Sequence, residues 1–369
     1  EAFADMPGFK TTIQGKTTSW LVWFMFIGVI PSIAGMGGLA GAVAEAGNTM
    51  FPLLTVEIWV VISCLVTWML LYFGSYKSLE KTLLVMVLFF SFMTMIIAVA
   101  MQSTDYQVSV AQVSSGLSFS FPSGYLPLAL AVFGFTGISY GEIMAYTYWC
   151  LEKGYAENSG NNVEETKHWI KTMQTDVWVT VFFITLGTLP FFFLGAGVLY
   201  NVPELQQALA TGSFWDIDVI SSLQNMFSLV LGGWAKWLFI VLAFFVLFST
   251  LLSGTAAFTR TISDYLISMG LVKEQANTRK KLIKLIAFLI PFLSGLFYFV
   301  LPNPFTLLLI AGIWAAMGLP IVNIGALYLV NKLEPELQPK ITTKFILWAS
   351  LVLQLSMAVL IIDDILLAF

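Results

Sequence analysis

The sequence predicts an all-α polytopic membrane protein with about nine transmembrane helices. Of its 369 residues, 58% are hydrophobic and only 10% are charged, and the mean hydropathy is +0.87. An average soluble domain has roughly 45–50% apolar and about 25% charged residues, so this chain lacks the polar surface of a water-exposed globule. Apolar runs of about 20 residues recur along it, and each can cross the hydrocarbon layer as a helix.

Polar connections divide the chain into nine predicted spans. They cover about 19–45, 51–74, 79–101, 125–151, 175–200, 234–260, 282–301, 304–331 and 343–367. The segments between them are polar or rich in Gly, Pro and Asn, as helix connections should be. The sequence therefore predicts an N-terminal segment at 1–18 followed by a single transmembrane domain at 19–369.

The positive charges are sorted to one side of these spans. Sixteen of the seventeen Lys and Arg residues fall on the side of the N-terminal segment, and only Lys236 lies towards the other side. The positive-inside rule then places residues 1–18 in the cytoplasm and the C-terminus outside. We expect an integral protein of a bacterial inner membrane, with the lipid bilayer as a partner and no nucleic acid.

Among the ionisable residues inside the spans, Glu142 is the one that most needs an explanation. A charged side chain at mid-membrane costs roughly 2.5–3.5 kcal/mol on insertion scales. The other such residues lie near span ends, where water is within reach: Glu45, Glu57, Lys236, Arg260 and Asp264. Arg260 and Asp264 are four residues apart, a spacing that predicts an exposed helical ion pair. Glu142 lies in the middle of the fourth span.

Glu142 ends a stretch of small and polar residues that is a poor continuous helix. From 134 to 142 the sequence reads Gly-Phe-Thr-Gly-Ile-Ser-Tyr-Gly-Glu. Each Gly costs about 1 kcal/mol relative to Ala in a helix, and Ser and Thr compete for backbone hydrogen bonds. We predict a broken helix whose free carbonyls bind an ion or a substrate, as in transporters. The alternative is a small-residue face packed between continuous helices, with Glu142 hydrogen-bonded to a neighbour.

The eighth span has a predicted interruption of its own. It contains Ala311-Gly312-Ile313 and Gly318-Leu319-Pro320, with Asn323 about one turn further on. Pro320 removes one backbone hydrogen bond, and Asn323 is placed to satisfy the freed carbonyl.

These motifs resemble the Nramp family of divalent metal ion transporters, and more closely its divergent, Nramp-related bacterial branch. The resemblance is carried by Gly137-Ile138-Ser139-Tyr140-Gly141-Glu142, by the run 146–155 and by Leu319-Pro320. It implies the LeuT-type fold, an inverted repeat of five plus five helices with broken helices one and six at the ion site. It further implies that the span 125–151 is the sixth family helix. The sequence would then be a fragment without the first two helices and their metal ligands.

The resemblance also implies which residues serve the ion. The family's sixth-helix Met falls at Gly141, its second sixth-helix His near Tyr148 and its tenth-helix amide near Gly312, while the third-helix carboxylates align near Ser32 and Gly35. The candidate metal-site residues are Thr136, Gly137, Ser139, Gly141 and Glu142, and the candidate pathway residues are Tyr140, Tyr148, Gly312 and Asn323. Oxygen ligands and room for a hydration shell favour Mg²⁺, with Mn²⁺ or Fe²⁺ next. The metal is expected as the substrate of alternating-access transport, and no cofactor is expected.

Two other functions remain open. A cation-coupled symporter of an amino acid or similar solute would use the same broken helix, with a half-helix N-terminus holding a carboxylate. A membrane-embedded enzyme would need a nucleophile with its base, a carboxylate dyad or His ligands in the spans. The single His168 falls in the predicted cytoplasmic loop 152–172. We therefore expect no enzymatic activity.

Overall fold

The computed structural model describes most of the chain as helices. The described residues are 3–74, 76–118, 126–135, 138–158, 162–203, 205–207, 219–275 and 277–367. In chain order the helices are α1 (Trp20–Ile27), α2 (Val29–Met50), α3 (Val56–Phe73), α4 (Tyr76–Met101), α5 (Val110–Gly116), α6 (Leu126–Phe135), α7 (Tyr140–Glu152), α8 (Tyr155–Asn158), α9 (Val163–Gly197), α10 (Val219–Leu231), α11 (Ala235–Ser268), α12 (Thr278–Val300), α13 (Pro304–Lys332) and α14 (Ile341–Leu367).

A β-hairpin that the sequence reading did not anticipate precedes α1. Strand β1 (Lys10–Ile13) pairs antiparallel with β2 (Lys16–Ser19), and Lys10 lies opposite Ser19. The two turn residues, Gln14 and Gly15, both have positive φ, as two-residue hairpin turns of the primed type require.

Eight helical segments of the described chain are long and apolar enough to span a membrane. They are α1 continued by α2, then α3, α4, α9, α11, α12, α13 and α14. These segments match eight of the nine predicted spans, and the all-α polytopic fold is confirmed. The remaining predicted span, 125–151, is divided between α6 and α7, which have 10 and 13 residues within the described part of the chain.

Helix α2 lies at the centre of the molecule, packed against α3, α11, α12 and α13. Helices α2, α3, α11 and α12 all contact one another, and α13 packs on α2 and on α6. Glycines on α2 allow this close packing: a Cβ at Gly37 would lie 2.5 Å from the Ser294 carbonyl oxygen, and one at Gly41 only 2.2 Å from the Tyr298 ring. Small residues play this part in membrane proteins because they let helix backbones approach closely.

The predicted cytoplasmic loop 152–172 is wrong from residue 163 onwards. Helix α9 begins at Val163, where the Asn162 side chain accepts the Glu164 N–H at 3.0 Å, and His168 lies exposed on this helix. An N-cap and acidic residues in the first turn stabilise a helix even where its sequence is polar. Hydropathy detects only the apolar part of such a helix. The predicted span therefore starts at about 175, whereas the helix starts at Val163.

The predicted interruption of the eighth span is also wrong. Helix α13 continues from Pro304 through Pro320 to Lys332. A proline is tolerated inside a transmembrane helix when neighbouring groups compensate for the lost hydrogen bond. Asn323 does not turn back to its own helix: its amide Nδ2 donates to the Leu347 carbonyl (3.3 Å) and to Gln354 Oε1 (3.1 Å) on α14.

Candidate ion site at the broken helix

The fourth predicted span is interrupted where the sequence places the break. Helix α6 ends at Phe135 and α7 begins at Tyr140, with Ser139 in an extended conformation at the N-cap of α7. The candidate ligands Thr136 and Gly137 lie outside the described residues. The interruption itself therefore agrees with the broken-helix hypothesis and not with a continuous packed helix.

Glu142 lies in the first turn of α7. Its Oε2 accepts the backbone N–H of Ser139 at 2.6 Å, and the residue is exposed. This contact is half of a capping box, which satisfies one of the N–H groups that a helix start leaves without a partner. An ionised carboxylate has about four acceptor positions, so one hydrogen bond leaves Glu142 able to bind further groups.

The start of α7 would by itself repel a cation. The first N–H groups of a helix lack intrahelical acceptors and give its N-terminus a partial positive charge. The carboxylate of Glu142, in the first turn of α7, offsets that repulsion.

Gly141 leaves space beside the break. Among the described residues, a Cβ built at this position would meet only Ser139 Oγ, at 3.8 Å, which is an ordinary contact distance. The absence of a side chain here is therefore not a packing requirement. It leaves room next to the Glu142 carboxylate.

Helix α6 approaches α13 closely just before the break. A Cβ at Gly134 would lie 1.9 Å from the Gly312 carbonyl oxygen and 2.8 Å from the Ala316 backbone nitrogen. Gly312 is buried at this contact. The structure thus brings the pathway candidate Gly312 to the end of α6, although in a packing contact.

Tyr140 fixes the start of α7 to α2 and α13. Its buried hydroxyl lies 3.3 Å from Ser32 Oγ and 3.4 Å from the Gly28 carbonyl oxygen, and its ring covers Gly318 of α13. Sequence reasoning missed Gly28, which separates α1 from α2. A Cβ there would lie 2.3 Å from Trp314 Nε1. The Gly28–Val29 helix junction was hidden because both flanking segments are uniformly apolar.

Tyr148 lies at the other end of α7, in a polar cluster. Its hydroxyl donates to Asp264 Oδ2 at 2.8 Å, and the Arg279 guanidinium lies 5.3 Å from its ring centre and 3.9 Å from Asp264 Oδ1. Tyr148 therefore links α7 to α11 and to the start of α12. The structure does not bring it together with Glu142 in one contact.

The predicted pair between Arg260 and Asp264 is wrong. Arg260 instead makes two hydrogen bonds to Glu152 at the end of α7, with Nε–Oε1 2.5 Å and Nη2–Oε2 3.0 Å, and it lies over the Trp149 ring. A two-point contact between guanidinium and carboxylate is stronger than a surface i, i+4 pair. The partner was missed because it lies 108 positions away in sequence.

A cavity of about 890 Å³ opens at the end of α2 that is remote from the β-hairpin. Its walls are mostly apolar side chains of α9, α10, α11 and α13, and its polar lining comes from Glu45, Asn48, Thr49, Thr188, Ser221 and Asn303. Among the described residues, none of α6 or α7 lines it. The described side chains also contain no group of three or more His, Cys, Asp and Glu that could hold a metal ion without backbone ligands.

A polytopic helical fold with a helix broken inside a membrane span is typical of membrane transporters. The family model of the Nramp family, described as natural resistance-associated macrophage protein-like, matches residues 9–363. The chain belongs to this family, whose members transport divalent metal ions. A comparison with curated proteins gives no match.

Proposed function

We propose that this protein moves a hard divalent cation, Mg²⁺ or next Mn²⁺ or Fe²⁺, across the membrane by alternating access. The break between α6 and α7 supplies half of the ion site. The observation that carries this proposal is the exposed Glu142 carboxylate in the first turn of α7, which accepts the backbone N–H of Ser139 where the fourth predicted span is interrupted. Family membership supports divalent metal transport in general.

The choice of a hard cation rests on the chemistry of the break. The proposed ligands, taken from the sequence, are carbonyl oxygens near Thr136, Gly137 and Ser139 together with the Glu142 carboxylate, and Gly141 offers no sulfur. Oxygen donors suit Mg²⁺, which loses its waters reluctantly and keeps several of them when bound. Gly141 has no side chain that would compete with such waters for the space beside Glu142.

The contacts of α7 support an alternating-access mechanism. Its last turn is tied to α11 through the Glu152–Arg260 ion pair and through Tyr148 and Asp264. The cavity of about 890 Å³ opens at the C-terminal end of α2, beside Glu45, Asn48 and Thr49. A path to the end of α7 would require these ties to open, which is the kind of discrete change that a two-state transporter needs.

Replacing Glu142 by Gln tests the proposal. The amide keeps an oxygen that can accept the Ser139 N–H, so the cap is retained while the charge is lost. Hydrogen bonds and contacts to a charged group are worth about 1.5–3 kcal/mol, so we expect cation uptake to fall about tenfold or more. Uptake of Mg²⁺ and Mn²⁺ into proteoliposomes, with equal protein incorporation, measures the effect.

The matched control is Glu165→Gln, which removes an exposed carboxylate in the first turn of α9. Its uptake should equal that of the unsubstituted protein. Unchanged uptake in Glu142→Gln would remove this carboxylate from the mechanism. Thermal stabilisation by an amino acid but by no divalent cation would favour the symporter instead.

A further inference from the structure

A cluster of lysines at the start of α12 has no role in the ion site. Lys280, Lys281 and Lys284 are all exposed and lie within the first two turns of the helix. Residues three or four positions apart share one face of a helix, so these side chains form a single basic face. We use this name for these three residues below.

The basic face gives way to an apolar face within one turn. Further along the same side of α12, Leu285, Phe288 and Leu289 are 52%, 43% and 40% exposed. In a membrane such side chains contact acyl chains, while lysines one turn earlier lie at the depth of the lipid headgroups. The position of the basic face is therefore the level at which headgroup phosphates are found.

Aromatic side chains of α3 border the basic face. The Lys284 ammonium lies 4.7 Å from the centre of the Tyr72 ring. Trp68 in turn packs against both Tyr72 (6.0 Å between ring centres) and Phe288 (5.5 Å). Trp and Tyr favour the membrane–water interface because one end of each is apolar and the other polar. Trp68 and Tyr72 are therefore evidence, independent of the lysines, that this end of α12 lies at the depth of the headgroups.

The nearby acidic side chains are engaged elsewhere. Asp264 accepts the Tyr148 hydroxyl and lies 3.9 Å from Arg279, and Glu274 pairs with Lys16 at 3.0 Å. Among the side chains that the structure describes, none forms an ion pair with the basic face. Its positive charge is thus available to an anion from outside the protein.

We propose that the basic face, bordered by Trp68 and Tyr72, binds the headgroup phosphate of an anionic phospholipid in the leaflet on the lysine-rich side. Charge complementarity and depth both select a lipid, because the apolar continuation of α12 accommodates the acyl chains of the same molecule. The interaction is separate from ion transport. It couples the stability of the protein to membrane composition, since a ligand that binds the folded state stabilises it.

The test compares melting temperatures of the purified protein in detergent with added phosphatidylglycerol or phosphatidylcholine. We expect a larger rise with phosphatidylglycerol, and we expect high salt to reduce it. In the triple variant Lys280→Gln, Lys281→Gln, Lys284→Gln, retention of phosphatidylglycerol measured by native mass spectrometry should weaken by about tenfold or more. The triple variant Lys332→Gln, Lys340→Gln, Lys344→Gln loses the same amount of positive charge between the end of α13 and the first turn of α14. It should behave like the unsubstituted protein.

Three outcomes would overturn the proposal. They are equal stabilisation by the two lipids, equal loss of lipid in both triple variants, and reproduction of the lipid effect by inorganic phosphate at the same concentration. If the first triple variant does not fold, the single variant Lys281→Gln is used for the same lipid measurements. We expect it to lose part of the phosphatidylglycerol preference, and full retention would contradict the site.

Discussion

At the scale of single residues, glycines affect the geometry around the break as much as residues with side chains do. Gly134 lies where α6 meets α13, and a methyl group there would overlap the Gly312 carbonyl oxygen. At Gly141, by contrast, a methyl group would make only an ordinary contact with Ser139 Oγ, at 3.8 Å, among the described residues. The two glycines therefore act differently: Gly134 permits a helix contact, and Gly141 leaves room beside Glu142.

Replacing Gly134 by Ala should destabilise the protein by about 1–3 kcal/mol, because overpacking displaces two helix backbones that cannot rotate away. The readout is thermal unfolding of the purified protein in detergent. Gly195→Ala is the control, since a Cβ at that position in α9 meets nothing within 4 Å. Gly195→Ala should stabilise the protein by about 0.4–1 kcal/mol, because Ala lowers the conformational entropy of the unfolded chain. Equal melting temperatures for the two variants would show that the α6–α13 contact is looser than described.

At the scale of elements, α7 is a short helix anchored at both ends. Tyr140 packs its start against α2 and α13, and Glu152 ties its last residue to α11. A 13-residue helix with a free end at membrane depth would gain little from its own hydrogen bonds. Its orientation, and with it the position of Glu142, depends on these anchors.

A double-mutant cycle measures the second anchor. With Glu152→Gln, Arg260→Gln and the double variant, the coupling energy of unfolding should be about 0.5–3 kcal/mol, the range for residues in one network. Arg260 also donates to the Ala256 carbonyl and covers the Trp149 ring. Arg260→Gln should therefore lower the free energy of unfolding by more than Glu152→Gln does. A coupling energy of zero would mean that the pair does not hold α7.

At the scale of the whole molecule, polar and charged features are divided between two ends. The ion pairs of α7 and the basic face lie towards the lysine-rich side, whereas the cavity of about 890 Å³ opens towards the other. Between these ends, helices such as α9 and α14 bury little of their apolar surface within the chain. The positive-inside rule predicts that the lysine-rich end faces the cytoplasm.

Single-cysteine labelling of intact cells tests that orientation. Thr188→Cys lines the cavity and should react with a membrane-impermeant maleimide, while Lys340→Cys, before α14, should react only after permeabilisation. The native Cys64 and Cys150 are 2% and 7% exposed, so the unsubstituted protein supplies a low background. The reverse labelling pattern would invert the topology inferred from the positive charges.

Much of the fold could be predicted because hydropathy and length act locally. Each span needs about 20 apolar residues whatever it packs against, so eight spans and the broken fourth one were visible in the sequence. Glu142 stood out for the same reason, since a charge in the middle of an apolar run is costly wherever the run lies. The polar start of α9 was missed because hydropathy does not register helices outside the membrane.

Partners across helices could not be predicted, because they depend on which faces meet. The sequence by itself determined that the chain is a bundle of membrane helices with one carboxylate at a glycine-rich break. Only the tertiary structure decided that Arg260 binds Glu152 and not Asp264, that Asn323 faces α14, and that α13 stays helical through Pro320. The physical reason is that hydropathy belongs to each segment alone, whereas a hydrogen bond needs two groups that folding brings together.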